Sequence, residues 1–483
     1  GSLDLRGGQQ DIWFVKLDSD GQPVFQAVIG GSDDDAAFAL AVHQGVVFLL
    51  GETWSNDFPS APGNAGEDDA VLMALAADGS GLLWARRFGG EDQDSGRALV
   101  FHQNSLYLTG ITWSEDFVSG SAQGDADGFL AEVGLDGSLG WMEVFGGSGL
   151  DAAYDLTISG SSLWVAGQTF SNDFAGSLLG GGDGFAARFS LTGQQQLQKL
   201  YGGEADDLIF TVAPHHEGGV FLAGGTNSAD ITGAGAFSGS FDAILFQTDG
   251  DGNQQSAQYL GGAGADYAQA LIPLENHSIL VIGWTASASF PADADLAGSS
   301  SGGVDAFIVQ INPEGAVETV QLEGGAADDL VKDAVITSDG LWLAGDFDLN
   351  TPAYAYFVPL SGLIIPTIPT QSVPLPTATL ANTATSQPTE TPKPTAIITP
   401  TPSVTPTATN TLRDAPTRTS TAAEEVEATL EATPDEGEQG AVTAPAADAT
   451  ASEETDVSQV PSGEPPPPDS SELGASSATS GGS

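Results

Sequence analysis

The stretch GGEDQDSGRALVFHQNSLYLTGITWSEDF (89–117) contains the spacing that decides the fold, a Gly-Gly pair followed four residues later by Asp. It occurs six times. The copies start at Gly30-Gly31, Gly89-Gly90, Gly146-Gly147, Gly202-Gly203, Gly261-Gly262 and Gly324-Gly325, with Asp35, Asp94, Asp151, Asp207, Asp266 and Asp329 at the fixed offset and intervals of 56 to 63 residues. A period of that length exceeds a leucine-rich or ankyrin unit and suits four short strands with their turns.

Within a period, apolar and polar residues alternate in short runs bounded by Gly, Asp, Asn and Ser, the mark of half-buried strands. The second copy shows all four: RALVF (97–101), SLYLTGIT (105–112), GFLAEVGL (128–135) and LGWMEVFGG (139–147), with a tight turn at Asp136-Gly137. Asp-Gly pairs favour the positive backbone angles of such a turn. Each period therefore reads as two hairpins. A four-stranded unit cannot bury both faces alone, so units must stack, and a circular stack leaves no long edge exposed. The predicted fold is all-β, a β-propeller. Second hairpins begin six times, at Asp11, Asp69, Asp127, Asp183, Asp242 and Asp305, and the chain opens on a second hairpin and closes on a first one. Pairing those two in one blade gives six four-stranded blades. The extra strand-like segment YAYFVPL (354–360) keeps seven as the alternative.

The runs VFLLGETWSNDFP (47–59) and DDAVLMALAADGSGLLWARRFGGEDQD (68–94) resemble the bacterial SBBP-type β-propeller repeat, a V-Y-V-x-G-x-T-x-S-x-D-F-P segment followed by D-A-F-V-x-K-L, a Gly-Gly and an Asp. The resemblance covers 11–347 and is strongest in the first three copies. Later copies drift: Thr226 and Thr285 keep the Gly-x-Thr threonine, Phe347 replaces it, and Ile231 stands where Phe58, Phe117 and Phe174 stood. The resemblance implies a secreted or cell-surface bacterial propeller and brings no catalytic residues with it, since such repeats mark a scaffold.

Composition bounds the rest. Of 483 residues none is cysteine, which removes disulfides and thiolate zinc sites. No apolar run reaches the roughly 18–20 residues that span a bilayer, so no membrane insertion is expected. The chain begins at Gly1 without a basic-then-apolar leader, so either a leader has been removed or the sequence is a fragment. After residue 365 the composition changes: 18 of the 27 prolines lie in 366–483, among Thr, Ser and acidic residues. The expected organisation is a propeller over 1–365 and a disordered, acidic Pro/Thr/Ser-rich tail or stalk over 366–483, suited to O-glycosylation. Formal net charge is −54, and residues 1–365 hold 49 acidic against 8 basic side chains. Nucleic acid is excluded as a partner because phosphate binding requires basic patches. Extracellular solubility, adaptation to high salt and cation collection remain as meanings of the acidity.

The six Asp residues after Gly-Gly, Asp35, Asp94, Asp151, Asp207, Asp266 and Asp329, are expected to be structural, their carboxylates accepting main-chain N–H groups at the turn between blades. The alternative for such a ring of carboxylates is Ca²⁺; otherwise no cofactor or metal is expected. Trp54, Trp113 and Phe170 share one place after the second strand, beside Asp57, Asp116 and Asp173, whereas later copies hold Asn227, Ala286 and Asp348 there. That rank is the ligand-binding candidate, able to stack on sugar rings or clasp a peptide, with packing between blades as the competing account. His43, His102 and His215 fall at turns on the rim. No elbow, P-loop or dinucleotide fingerprint is present, so no catalytic residues are assigned. The expected protein is a monomeric, non-catalytic extracellular or cell-surface binding or adhesion module for a glycan or protein. A propeller hydrolase or lyase acting on an extracellular glycan, or a structural envelope component, is the alternative.

Overall fold

In a computed structural model, the structure describes residues 2–359 apart from 9, 19–20, 64–65, 119–121, 291–297, 300–302, 338–339 and 349–351. The tail expected over 366–483 lies outside the described residues, as does the segment 360–365. Strands dominate and, among the described residues, no helix forms.

The strands form a β-propeller of antiparallel sheets laid down in chain order. Sheet two contains Asp35–His43, Val46–Thr53, Asp69–Ala76 and Leu82–Phe88. Sheet three repeats it with Asp94–His102, Ser105–Thr112, Asp127–Gly134 and Leu139–Phe145. Sheet four runs from Asp151–Ser159 to Gln195–Tyr201, sheet five from Asp207–Pro214 to Gln254–Leu260, and sheet six from Asp266–Pro273 to Val317–Glu323, each with four strands. In sheets two to six every first strand therefore starts at the Asp of the Gly-Gly repeat, and every third strand starts at the second Asp of the period.

The two end hairpins depart from the shared blade expected of them. Ile12–Leu17 and Pro23–Ile29 form sheet one with Ser2–Leu5, which pairs in parallel with Pro23–Ile29. Leu330–Ile336 and Gly340–Asp348 form sheet seven with Pro352–Pro359. Pro352–Pro359 takes the edge of Gly340–Asp348 that a shared blade would use, whereas Ser2–Leu5 adds to the far edge of the opening hairpin, so among the described residues the sheets follow the seven-fold alternative, as five complete blades and two of three strands. Gly21, in the turn of sheet one, lies near the Trp342 ring of sheet seven, 3.4 Å from the place a Cβ would take.

Apolar clusters join consecutive sheets face to face. Phe48, Leu50 and Leu72 of sheet two meet Leu106, Leu108 and Phe129 of sheet three, and equivalent sets join sheets one to two, three to four, four to five, five to six and six to seven. Among the described residues none joins seven to one. There, Leu40 and Val42 on the first strand of sheet two are 57% and 59% exposed, because sheet one lacks the two inner strands that would cover them. A β-bulge recurs in the first strand of sheets two to seven. The extra residue turns its side chain toward the neighbouring sheet: Arg97 lies over Phe38 at 4.4 Å, and Tyr154 stacks toward Phe210 at 5.6 Å.

Candidate functional site

One rim carries the turns between sheets, and there the repeated residues converge. In the sheet-four copy, Asp151 Oδ2 accepts the Gly147 N–H at 2.6 Å and the Ser171 hydroxyl at 2.7 Å, while its buried Oδ1 meets no donor. Asp35, Asp207 and Asp266 receive the corresponding Gly N–H and Ser donors and a Thr hydroxyl as well, Asp94 receives the Gly90 N–H and the Ser114 hydroxyl, and Asp329 accepts the Gly325 N–H. The backbone joins in, since the N–H of the same Asp donates to the carbonyl just before the second Asp of the period, as in Asp151 to Ala126 and Asp207 to Gly182. This clasp ties the inter-sheet turn to two loops of the following or preceding sheet.

Both glycines of the pair are required by these contacts. A Cβ on Gly146 would overlap Asp127 Oδ1, and one on Gly147 would stand 2.6 Å from the Ser171 Cβ; Gly261 and Gly262 meet Asp242 and Ser287 in the same way. The second Asp of each period is thus packed against the first glycine. Asp127, Asp183 and Asp242 accept main-chain N–H groups through Oδ2, while their buried Oδ1 atoms meet no hydrogen-bond donor.

Burial pushes these carboxyls above the usual carboxylate range: Asp94 to about 7, Asp183 and Asp242 to about 6, and Asp35, Asp127, Asp151, Asp207 and Asp266 in the same direction. The facing carboxylate adds to the effect at several of them, as Asp207 does at Asp183. Asp68 rises furthest, to about 8, through burial and then the charge of Glu52. The clasp carboxylates point at N–H and O–H donors, and among the described residues no group of three or more His, Cys, Asp or Glu side chains is arranged to hold a metal.

Asp57, Asp116 and Asp173 belong to the same rim. Their Oδ1 atoms accept the N–H groups of Ser32, Glu91 and Ser148 at 2.7 to 2.8 Å, and this hydrogen bonding holds Asp57 and Asp173 below the ordinary carboxylate range. Asp230 does the same for Glu204. Trp54, Trp113 and Phe170 are half-buried between the buried Thr and Ser of each loop. Trp113 packs against the cluster of Ile111, Ala126 and Ala152, and the Phe170 ring lies against Gly182. The rank therefore has one side on the protein and one toward solvent. Sequence reasoning passed over the Thr-x-Ser pair of the clasp, although it stands in the open as TWS, TWS, TFS, TNS and TAS at 53–55, 112–114, 169–171, 226–228 and 285–287.

The opposite rim carries the hairpin turns. His43 and His102 are half-buried there, but His215 is 5% exposed. It packs edge-on against Phe221 at 4.8 Å, and its Nε2 pairs with Gln247 Nε2 at 3.1 Å. Burial, and then the neighbouring His216, lowers its pKa. The DGDGN segment (249–253) is a hairpin turn in which Asp249 caps Asp251 and Asn253 N–H groups.

No family model matches the chain. The regulatory protein FlaEY of Caulobacter vibrioides is 23% identical over 368 residues, which is 66% of this chain and 37% of that protein. The chain thus spans little more than a third of that relative. Among solved structures, the WD40 propeller domain of Doa1 is 11% identical with a TM-score of 0.40, over 73% of this chain and 94% of that one. The Neurospora crassa Pan2 WD40 domain is 10% identical at 0.37, over 66% and 78%, and BamB from Moraxella catarrhalis is 10% identical at 0.31, over 67% and 86%. The propeller rests on its own sheets and registers, not on these likenesses.

Proposed function

We propose that the protein is a non-catalytic binding module of the SBBP type, displayed outside the cell on the 366–483 tail as a stalk, and that it presents Trp54, Trp113 and Phe170 to an extracellular glycan or protein. The observation that carries this reading is the placement of three half-buried rings at equivalent positions on one rim, each on a loop pinned by the Asp–Ser–Thr clasp. Rings held with one face open lose little entropy on stacking against a sugar or a peptide side chain. The pinned loops supply the rigidity. The relative's name, a regulatory protein, supports recognition of a partner over turnover of a substrate. The large negative charge favours neutral or basic ligands over anionic ones.

Glycan and peptide arrays probed with the full chain test the proposal. Retention of a defined class, lost in Trp54→Ala with Trp113→Ala while the unfolding midpoint stays close to the parent's, supports it. Retention unaffected by the pair of substitutions removes the rank from the reading. Turnover of a retained glycan replaces the binding module with an enzyme.

A further inference from the structure

A second repeated contact lies on the opposite rim. The third side chain of the fourth strand reaches across to the turn glycine of the next sheet: Phe25 to Gly79, Trp84 to Gly137, Trp141 to Gly193 and Leu197 to Gly252. Trp84 and Trp141 come within 3.1 and 2.7 Å of the places where a Cβ would stand, and Leu197 within 3.3 Å. Each of these glycines has a positive φ, from 71° to 80°, so the turn offers the ring a flat backbone surface. In sheet five the same place holds Ser256, and the facing glycine of sheet six is Gly315, with φ 83° and no atom within 4 Å of its Cβ position. The plug is missing. A cavity of about 340 Å³ opens there, lined by Ser256, Gly315, Phe221, Leu245, Ile279 and Ile311, with Gln247 and His215 on its polar side.

What the plug does elsewhere defines what the hole accepts. In sheet two the Trp84 ring sits 6.0 Å from Phe48, and its Nε1–H donates to the Leu135 carbonyl at 3.1 Å, two residues before Gly137. In sheet three, Trp141 stands 6.2 Å from Tyr107. Phe221 holds the place of Phe48 and Tyr107, five residues before the clasp threonine, and Pro313 lies two residues before Gly315, where Leu135 lies before Gly137. A ring wall and a glycine floor are thus present without the side chain that uses them, and the turn carbonyl that Trp84 uses, though Trp141 does not, has its counterpart at Pro313. The cavity opens to solvent and mixes apolar walls with the polar groups of Gln258, His277, Asn312 and Glu314, which suits a ring carrying an N–H edge, and ring pairs at such spacings favour one another beyond area alone.

We propose that this cavity between sheets five and six binds an indole-type aromatic ring, presented by a tryptophan side chain of a partner polypeptide or as a free small molecule. The site lies on the rim opposite Trp54, Trp113 and Phe170 and stands or falls apart from them.

Calorimetric titration of the full chain with indole and with a capped Trp-containing tripeptide tests it. One saturable site is expected, weakened at least tenfold in Ser256→Trp, whose own ring fills the hole, and unchanged in Thr319→Trp, which places a ring at the corresponding position of sheet six. A higher unfolding midpoint for unliganded Ser256→Trp than for the parent is the second signature, readable without any ligand. Binding of both probes supports a polypeptide source, and binding of indole alone supports a small molecule. Absence of saturable binding at millimolar probe, or equal binding by Ser256→Trp, overturns the proposal. Equally tight binding of 1-methylindole removes the Pro313 carbonyl from it.

Discussion

The two rims of the propeller are built from the same repeat and obey different rules. On the clasp rim the same residues return in every complete sheet, because Asp, Ser, Thr and two glycines form one hydrogen-bonded unit that no single member can leave. On the opposite rim the contact is a side chain lying on a turn glycine, and Phe25, Trp84, Trp141, Leu197 and Ser256 succeed one another there. A directional network with several buried donors tolerates no substitution, whereas an apolar contact degrades in proportion to the area lost. Variation on the second rim therefore yields a pocket, while the first stays fixed.

Removing a clasp carboxylate should give the largest effect. Asp151→Ala leaves the Gly147 N–H and the Ser171 hydroxyl without their acceptor, and at roughly 1–3 kcal/mol for each buried unsatisfied group, with the cavity left by the carboxyl, the loss should reach about 3–5 kcal/mol. Denaturant unfolding of the variant beside the parent measures it. Asp173→Ala, on an exposed carboxylate of the same rim, should move the midpoint far less. Equal losses would mean that burial does not separate the two sets of Asp residues.

Next comes a plug. Trp141 is half-buried, so Trp141→Ala should cost about 2–3 kcal/mol, below the range of roughly 3–5 for a fully buried tryptophan. A loss as large as that of Asp151→Ala would abolish the distinction between the rims.

A smaller, collective effect belongs to the clasp rim alone. Its buried carboxyls titrate higher in the folded protein than in the unfolded chain, near 6 for Asp183 and Asp242 and near 7 for Asp94, against about 4 when exposed. Between these values the folded state holds more protons, so stability is greatest at the acid end and falls as pH rises from about 4 toward 7. The unfolding midpoint should rise by several degrees from pH 7.5 to pH 5.5. Added NaCl at pH 7.5 should raise it as well, by screening the excess of acidic groups. A midpoint flat across pH 5.5 to 7.5 at high salt would show that the clasp carboxyls are already ionised without cost.

The clasp rim was legible in the sequence through its Gly-Gly to Asp spacing, because a network with fixed members leaves a fixed spacing in each copy; its Thr-x-Ser pair, present in five of the six copies, was equally open to view and passed over. The seam was not legible. Whether the opening and closing hairpins share a blade depends on which strand takes the edge of Gly340–Asp348, and Pro352–Pro359 claimed it with little repeat signature of its own. The pocket was hidden for another reason. Ser256 reads as an ordinary polar strand residue until the register places it where Trp84 and Trp141 cross to the next sheet.

The smallest effect is expected at the aromatic rank, and it separates support of a loop from recognition. Sheet six already performs the experiment at one position: Ala286 stands where Trp54 and Trp113 stand, and its N–H still donates to the Ala265 carbonyl as theirs donate to Asp34 and Gln93. Ser287 and Thr285 keep their places on Asp266 without an aromatic neighbour between them. The ring is thus not needed to shape the loop, and Trp54→Ala should cost no more than about 1 kcal/mol, the ordinary scale for a partly exposed side chain outside any network. Trp113→Ala should cost somewhat more, because that ring also packs on the cluster of Ile111, Ala126 and Ala152. A loss for Trp54→Ala as large as that for Trp141→Ala would assign the rank to packing and leave the clasp rim without a ligand platform.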